Sequence, residues 1–107
     1  FLVQNIAQAQ EMLEAVQHPA LKMQYDCYHM AMMGEDLLES LQENIESIGH
    51  IQFADCPGRQ EPDTGKIDYA QLFAWLKQSA YAGYTAAEYR PSQASEKTFA
   101  WKDKYFA

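Results

Sequence analysis

Hydrophobic residues along the chain follow two different spacings, one typical of helices and one typical of strands. Residues 2–17 and 36–48 carry apolar side chains three and four positions apart, which predicts two amphipathic helices. Gly49 is the predicted C-terminal cap of the second helix. A third helix is predicted over residues 69–79, because Asp68 is a favourable N-cap residue in front of another apolar stripe.

Three shorter stretches, residues 21–26, 50–54 and 84–89, alternate between apolar and polar side chains and are predicted strands. Their order with the helices is α-β-α-β-α-β, which predicts parallel strands joined by right-handed crossovers. One face of each strand is polar, whereas an inner strand of a doubly wound sheet is apolar on both faces. We therefore predict an α/β fold in which residues 1–107 form three βα units of one incomplete (β/α)8 TIM barrel domain.

The composition predicts a packed domain and narrows the classes of partner. Of the 107 residues, 48% are hydrophobic and 13% aromatic, which argues for a core rather than disorder. A net charge of -7 disfavours nucleic acid and anionic membrane partners, which require a basic surface. No apolar run approaches the roughly 20 residues that span a bilayer. Cys27 and Cys56 are interpreted as small buried residues rather than nucleophiles, and a cytoplasmic protein is expected.

Three polar residues on the predicted strands form a candidate site. Asp26, Gln52 and Glu88 fall on the same, helix-free face of the sheet, and the two carboxylates stand at strand ends. Carboxylate and amide oxygens suit Mg²⁺ or Mn²⁺ far better than zinc. The structural alternatives are that Asp26 caps the strand end, that Gln52 is a satisfied interior amide and that Glu88 pairs with Arg90 or Lys22.

Two further residues are candidates for substrate contact. His29 lies just past the first predicted strand, where it either hydrogen-bonds a substrate oxygen or packs as a loop residue. The planar fork of Arg59 either clamps a substrate carboxylate or pairs with Glu61 or Asp63. Asp55 and Glu61 are interpreted as acids that order the loop after the second strand.

Four runs of residues, taken together and in this order, are similar to one known family. The runs are residues 24–29 (QYDCYH), 50–55 (HIQFAD), 57–69 (PGRQEPDTGKIDY) and 88–91 (EYRP). With them the chain resembles the hydroxypyruvate isomerase family, which belongs to the xylose isomerase-like barrels. The resemblance is most specific over residues 20–91, and residues 95–101 stand in place of the Gly-rich turn that is usual in the family.

This resemblance implies that the chain is a C-terminal fragment carrying the last three strands of the barrel. Asp26, Gln52 and Glu88 then match three of the family's four metal ligands, and the fourth, a Glu, is expected upstream of Phe1. That Glu and Glu88 would form the acid/base pair of an intramolecular aldose–ketose isomerase, which converts hydroxypyruvate to tartronate semialdehyde through a metal-stabilised enediolate. The resemblance also favours substrate contact for His29 and Arg59.

Several alternatives stay open at this stage. Within the family, 2-oxo-tetronate isomerase is the close rival, whereas a ketose 3-epimerase is expected to show a His where Gln52 stands. A non-enzymatic half-barrel would act only by association, with itself or another chain, through exposed sheet edges. A DNA-repair endonuclease would need a His-rich zinc cluster and a basic groove, and the net charge of -7 argues against the groove.

Overall fold

A computed structural model describes residues 6–106, so the first four residues of the helix predicted from residue 2 lie outside the described part. The helices are α1 (Ile6–Val16), α2 (Cys27–Met32), α3 (Leu37–Asn44), α4 (Tyr69–Gln78) and α5 (Ala100–Phe106), and the strands are β1 (Met23–Asp26), β2 (Ile48–Phe53) and β3 (Tyr84–Ala87). Short 3₁₀ turns follow α3 and precede α5. No helix within this range is long and apolar enough to cross a bilayer.

The three strands form one parallel sheet in the order β1-β2-β3, which confirms the predicted α/β architecture. The register aligns Asp26 with Gln52 and Gln52 with Ala86 across the sheet. Over residues 6–106, β1 and β3 each pair only with β2, so the sheet has two open edges and does not close into a barrel. The described elements therefore form a partial barrel.

The predicted division of each strand into an apolar and a polar face is also confirmed for the two better buried strands. Tyr25 of β1 and Ile51 and Phe53 of β2 are fully or almost fully buried on the helix side. Phe53 makes ring contacts with Phe73 and with Trp101, each at a centroid distance of 5.1 Å. Burial of each such side chain stabilises the fold by about 1.5–3 kcal/mol.

The prediction that Gly49 caps a helix is wrong. The helix ends at Asn44, a 3₁₀ turn follows, and Gly49 lies inside β2. Met23 aligns with Ile48 while Gln24 aligns with His50, so Gly49 is the additional residue of a β-bulge. A Cβ atom at this position would stand 2.8 Å from the Cβ of Lys22, and glycine therefore permits the two strands to approach.

Two helices were not predicted, and both matter for the site. α2 begins directly after β1 and has six residues, which is too short to display a periodic apolar stripe. α5 lies in the tail and packs through Tyr105 and Trp101 against the core.

β3 ends at Ala87 rather than at Tyr89. The Glu88 N–H still donates to the Phe53 carbonyl at 3.0 Å, which holds Glu88 at the sheet edge.

Candidate active site

The three predicted oxygen ligands lie together at the C-terminal edge of the sheet. Asp26 is the last residue of β1 and aligns directly with Gln52 on β2. Glu88 follows β3 by one residue and is tied to the end of β2 by its backbone N–H. Strand alternation puts Asp26, Gln52 and Glu88 on the face opposite the buried helix side. Whether they bind metal stays a prediction.

Asp26 serves as the N-cap of α2 and keeps further acceptor capacity. One carboxylate oxygen, Oδ1, accepts a hydrogen bond from the His29 backbone N–H at 3.0 Å. The other, Oδ2, lies 3.9 Å from His29 Nε2. An ionised carboxylate offers about four acceptor positions, so the capping bond leaves room for a cation. The structural alternative for Asp26 is therefore confirmed without excluding the ligand role.

Gln52 receives a hydrogen bond from its neighbour on β1. The side-chain nitrogen of Gln24 donates to Gln52 Oε1 at 3.0 Å, which orients the amide. An amide oxygen has two lone pairs, so one remains for a cation or a substrate hydroxyl.

Asp55 organises the loop that follows β2. It is only 1% exposed, and its Oδ1 accepts hydrogen bonds from the backbone N–H groups of Cys56 and Ile67 at 2.8 and 3.1 Å. The backbone of Asp55 bonds Gln60 and Arg59 as well. The interpretation of Asp55 as a loop-ordering acid is thereby confirmed.

Arg59 pairs with a different acid from the two that sequence proximity suggested. Its Nη2 lies 3.9 Å from Glu88 Oε1, and its guanidinium carbon lies 5.2 Å from the centroid of the Tyr28 ring. Neither Glu61 nor Asp63 is its partner, because both acids are engaged elsewhere. The structural alternative paired Glu88 with Arg90 or Lys22, and this is wrong because Glu88 pairs with Arg59.

Glu61 and Asp63 anchor the same loop to the C-terminal segment. Glu61 is buried and accepts hydrogen bonds from the backbone N–H of Ser92 at 2.9 Å and from its hydroxyl. Asp63 accepts from the Tyr105 hydroxyl at 2.6 Å and from Lys104 Nζ at 3.1 Å. The part of the loop that follows Arg59 is thus held at two positions, which confirms the loop-ordering interpretation of Glu61.

Substitution Glu61→Gln should make the free energy of unfolding depend less steeply on pH at acid pH. Burial acts to raise the pKa of Glu61, but the Ser92 hydroxyl and the backbone N–H groups of Glu61 and Ser92 favour the ionised form more, and the pKa falls below its ordinary 4.5. A carboxylate whose pKa is lower in the folded state than in the unfolded state stabilises the fold at pH values above the unfolded-state pKa. This stabilisation is lost as the pH falls through the folded-state pKa.

Urea unfolding of the full-length protein between about pH 6 and pH 3 measures this effect through the unfolding midpoint. The wild-type midpoint should fall more steeply with acid than that of the Glu61→Gln variant. Glu43→Gln, an exposed exchange on α3, is the matched control and should follow the wild type. Parallel curves for wild type and Glu61→Gln would contradict the assignment.

The two cysteines differ in their surroundings. Cys27 is buried behind Asp26, and burial, with a smaller contribution from the Asp26 carboxylate, raises the pKa of its thiol to about 12. It therefore stays protonated near neutral pH, which agrees with the interpretation that it is not a nucleophile. Cys56 is only half-buried, and its sulfur lies 3.5 Å from the Met32 sulfur. Both thiols are free.

The residues at the sheet edge match a hard divalent cation in chemical type but supply only part of a coordination shell. Asp26 and Glu88 offer carboxylate oxygens and Gln52 an amide oxygen, which suits Mg²⁺ or Mn²⁺. Nowhere in residues 6–106 do three His, Cys, Asp or Glu side chains lie where they could together hold a metal ion. Asp26, Gln52 and Glu88 would therefore need further oxygen donors to complete a coordination shell.

Sequence reasoning assigned no role to two residues that contact this site. Gln24 orients the Gln52 amide. Tyr28 lies against Arg59 and also makes an edge-on ring contact with His29 at 5.2 Å between centroids. The available signal was weak: both residues lie in the run 24–29 that carried the resemblance, but neither carries a charge near neutral pH that would mark it as part of a site.

Comparison with known sequences gives one family and several curated relatives. The family model described as "Xylose isomerase-like TIM barrel" matches residues 1–105. Hydroxypyruvate isomerase of Escherichia coli (strain K12) is 38% identical over 105 residues, covering 98% of this chain and 41% of the relative. 2-oxo-tetronate isomerase of Cupriavidus necator is 39% identical over 85 residues, covering 79% of this chain and 33% of the relative. The chain thus spans well under half the length of these relatives.

Comparison with solved structures agrees on the fold. The crystal structure titled as an AP endonuclease, family 2, from Brucella melitensis superimposes with a TM-score of 0.92 at 30% sequence identity. The match covers 98% of this chain and 41% of that structure. The three-stranded sheet and its helices therefore correspond to about two fifths of that structure.

Proposed function

The chain belongs to the xylose isomerase-like TIM barrel family, and from that premise we propose that it forms the C-terminal part of an aldose–ketose isomerase that interconverts hydroxypyruvate and tartronate semialdehyde. The observation that carries the proposal is the convergence of Asp26, Gln52 and Glu88 at one sheet edge in a chain whose curated relatives are named isomerases. The open edges of β1 and β3 are where the remaining strands of the barrel would pair.

Glu88 is the residue of this chain that we assign to proton transfer. In the reaction a proton leaves one carbon of the 2-hydroxy carbonyl unit and is returned to the adjacent carbon, which requires a carboxylate beside the carbon chain. The Glu88 side chain is 55% exposed in residues 6–106, so bulk water reaches it here. The other half of the barrel would exclude that water and present the second acid/base group.

Arg59 and His29 are assigned to substrate binding. The guanidinium of Arg59, beside Glu88, would pair with the substrate's carboxylate through its planar set of N–H donors. His29 stands next to Asp26, where its ring would donate to the substrate oxygen on which negative charge develops. The two groups would thus hold opposite ends of a three-carbon 2-oxo acid.

Asp26, Gln52 and Glu88 would hold the divalent cation, Mg²⁺ or Mn²⁺, together with a carboxylate from beyond the described residues. When bound, such a cation supplies positive charge that polarises the substrate's carbonyl and hydroxyl oxygens and acidifies the neighbouring C–H bond.

A cytoplasmic location is part of the same proposal. The two free thiols, Cys27 and Cys56, support it, because disulfides are rare in a reducing compartment.

A second candidate substrate is 2-oxo-tetronate. The Cupriavidus necator 2-oxo-tetronate isomerase supports it, because its 39% identity over 85 residues is comparable to the 38% identity over 105 residues of the Escherichia coli hydroxypyruvate isomerase. The two substrates share the carboxylate and the 2-hydroxy carbonyl unit, so the residues assigned above serve both.

Steady-state assays of the full-length protein with Mg²⁺ or Mn²⁺ test the proposal and separate the two substrates. We expect turnover of hydroxypyruvate with a kcat/KM at least about tenfold above that for 2-oxo-tetronate, since an additional hydroxymethyl group that the site does not bind costs about 1–3 kcal/mol. A preference for 2-oxo-tetronate would transfer the assignment to the second candidate. Absence of turnover of either acid would refute both.

A further inference from the structure

Tyr28 connects residues that the sequence treats as separate candidates. Its ring lies 5.2 Å from the Arg59 guanidinium carbon on one side and contacts the His29 ring on the other, with centroids 5.2 Å apart at an interplanar angle of 75°. Arg59 Nη2 lies 3.9 Å from Glu88 Oε1, and His29 Nε2 lies 3.9 Å from Asp26 Oδ2. Tyr28 is therefore the central member of a line of contacts that joins both carboxylates of the site.

The Arg59 guanidinium needs such support. Its backbone is fixed, because the Arg59 N–H donates to the Asp55 carbonyl and the Arg59 carbonyl accepts from the Arg90 N–H. The side chain beyond it has several rotatable bonds and only a loose pairing with Glu88. Ordering a long side chain of this kind costs up to about 2 kcal/mol, so a second contact is required to hold the cation in place.

An aromatic face is suited to this task because it attracts a cation without using its hydrogen-bond donors. A carboxylate in the same position would occupy those donors and compete with an anionic substrate. The Tyr28 ring therefore holds Arg59 while leaving its N–H groups available. Without the ring, Arg59 would be free to close on Glu88, which is its nearest acid.

We propose that Tyr28 is a positioning residue whose ring holds the Arg59 guanidinium beside Glu88, ready for the carboxylate of the substrate. This inference rests on the proposed function, because it gives Arg59 a carboxylate-bearing ligand. Tyr28 would then contribute to specificity. It contributes to binding of 2-oxo acids and contributes little to binding of a 2-hydroxy carbonyl compound that lacks a carboxylate.

The test uses Tyr28→Leu and Tyr28→Met, two variants without the ring, in the full-length protein. Loss of a partly exposed cation–π contact should raise KM for hydroxypyruvate about 3- to 30-fold, with a smaller change in kcat. Tyr28→Phe keeps the ring and should restore the wild-type KM. Calorimetric titration measures the same effect without turnover. Tartronate, a stable carboxylate-bearing analogue, should bind the wild type and Tyr28→Phe more tightly than Tyr28→Leu and Tyr28→Met. Dihydroxyacetone, which has no carboxylate, should bind all four proteins with similar affinity.

A double-substitution experiment identifies the partner through which Tyr28 acts. In an Arg59→Ala background, Tyr28→Leu should change tartronate affinity by less than about twofold, since its effect in the wild type runs through Arg59. An equal effect in both backgrounds, or a Tyr28→Phe variant as weak as Tyr28→Leu, would overturn the proposal. If the wild type turns over neither acid but the tartronate results hold, the proposed function fails and the positioning role stands.

Discussion

Substitution Glu88→Gln in the full-length protein is expected to lower kcat/KM for hydroxypyruvate by about 10²- to 10⁴-fold, the usual contribution of a positioned general base. Glutamine keeps the size of the side chain but cannot take up a proton. Glu88 is held at the sheet edge by its backbone bond to Phe53, and its side chain is half in water, so the exchange should not disturb packing.

One measurement and a control variant separate this chemical effect from a structural one. Proton NMR in D₂O should show loss of deuterium exchange at the substrate carbon in the Glu88→Gln variant, because the exchange requires proton abstraction. Glu96→Gln, an exposed exchange in the C-terminal segment, is the matched control and should keep wild-type exchange. If Glu88→Gln keeps kcat/KM within a few-fold of the wild type, another residue of the full-length protein is the base.

Substitution Gly65→Ala should destabilise the protein by about 1–3 kcal/mol, the usual range for overpacking, and should also weaken substrate binding. A Cβ atom on Gly65 would lie 2.3 Å from the Cys56 carbonyl oxygen and 2.6 Å from Asp55 Oδ1. The first of these is backbone and cannot swing away. The loop must therefore shift, and the shift would break the hydrogen bonds that the backbone N–H groups of Cys56 and Ile67 donate to Asp55 and that hold the loop carrying Arg59.

Chemical denaturation of the full-length protein, together with KM for hydroxypyruvate, measures both consequences. The matched control is Gly58→Ala in the same loop, where the nearest atom to an added Cβ is 3.5 Å away and belongs to the mobile end of the Gln60 side chain. That variant should differ from the wild type by about 0.5 kcal/mol or less. Equal stability of the two variants would contradict the crowding argument.

The fold was predictable where hydrophobic spacing is long and regular. The strand faces at Tyr25, Ile51 and Phe53 and the Asp68 cap of α4 follow from alternation and capping chemistry, and the structure confirms them. α2 was missed because six residues give less than two turns of periodicity. Gly49 was misassigned because a helix cap and a β-bulge both favour glycine, and only the strand register distinguishes them.

The candidate site was predictable in its positions but not in its contacts. Strand alternation placed Asp26, Gln52 and Glu88 on one face because the two-residue period is a local property. The Arg59 partner was not predictable, since sequence proximity favoured Glu61 and Asp63, whereas both are used by residues about 30 and 40 positions later. The Tyr28 contact likewise joins helix α2 to the loop after β2, and spacing along the chain carries no information about it.

The anchoring of the loop after β2 has a consequence for the order of assembly during translation. Asp63 is held by Lys104 and Tyr105, which lie 41 and 42 residues further along the chain, and Glu61 by Ser92, 31 residues further along. A nascent chain in which β1 and β2 have already paired still lacks all three anchors. The segment carrying Arg59 therefore gains its last two anchors only after α5 has left the ribosome, so this loop is completed later during translation than the pairing of β1 with β2.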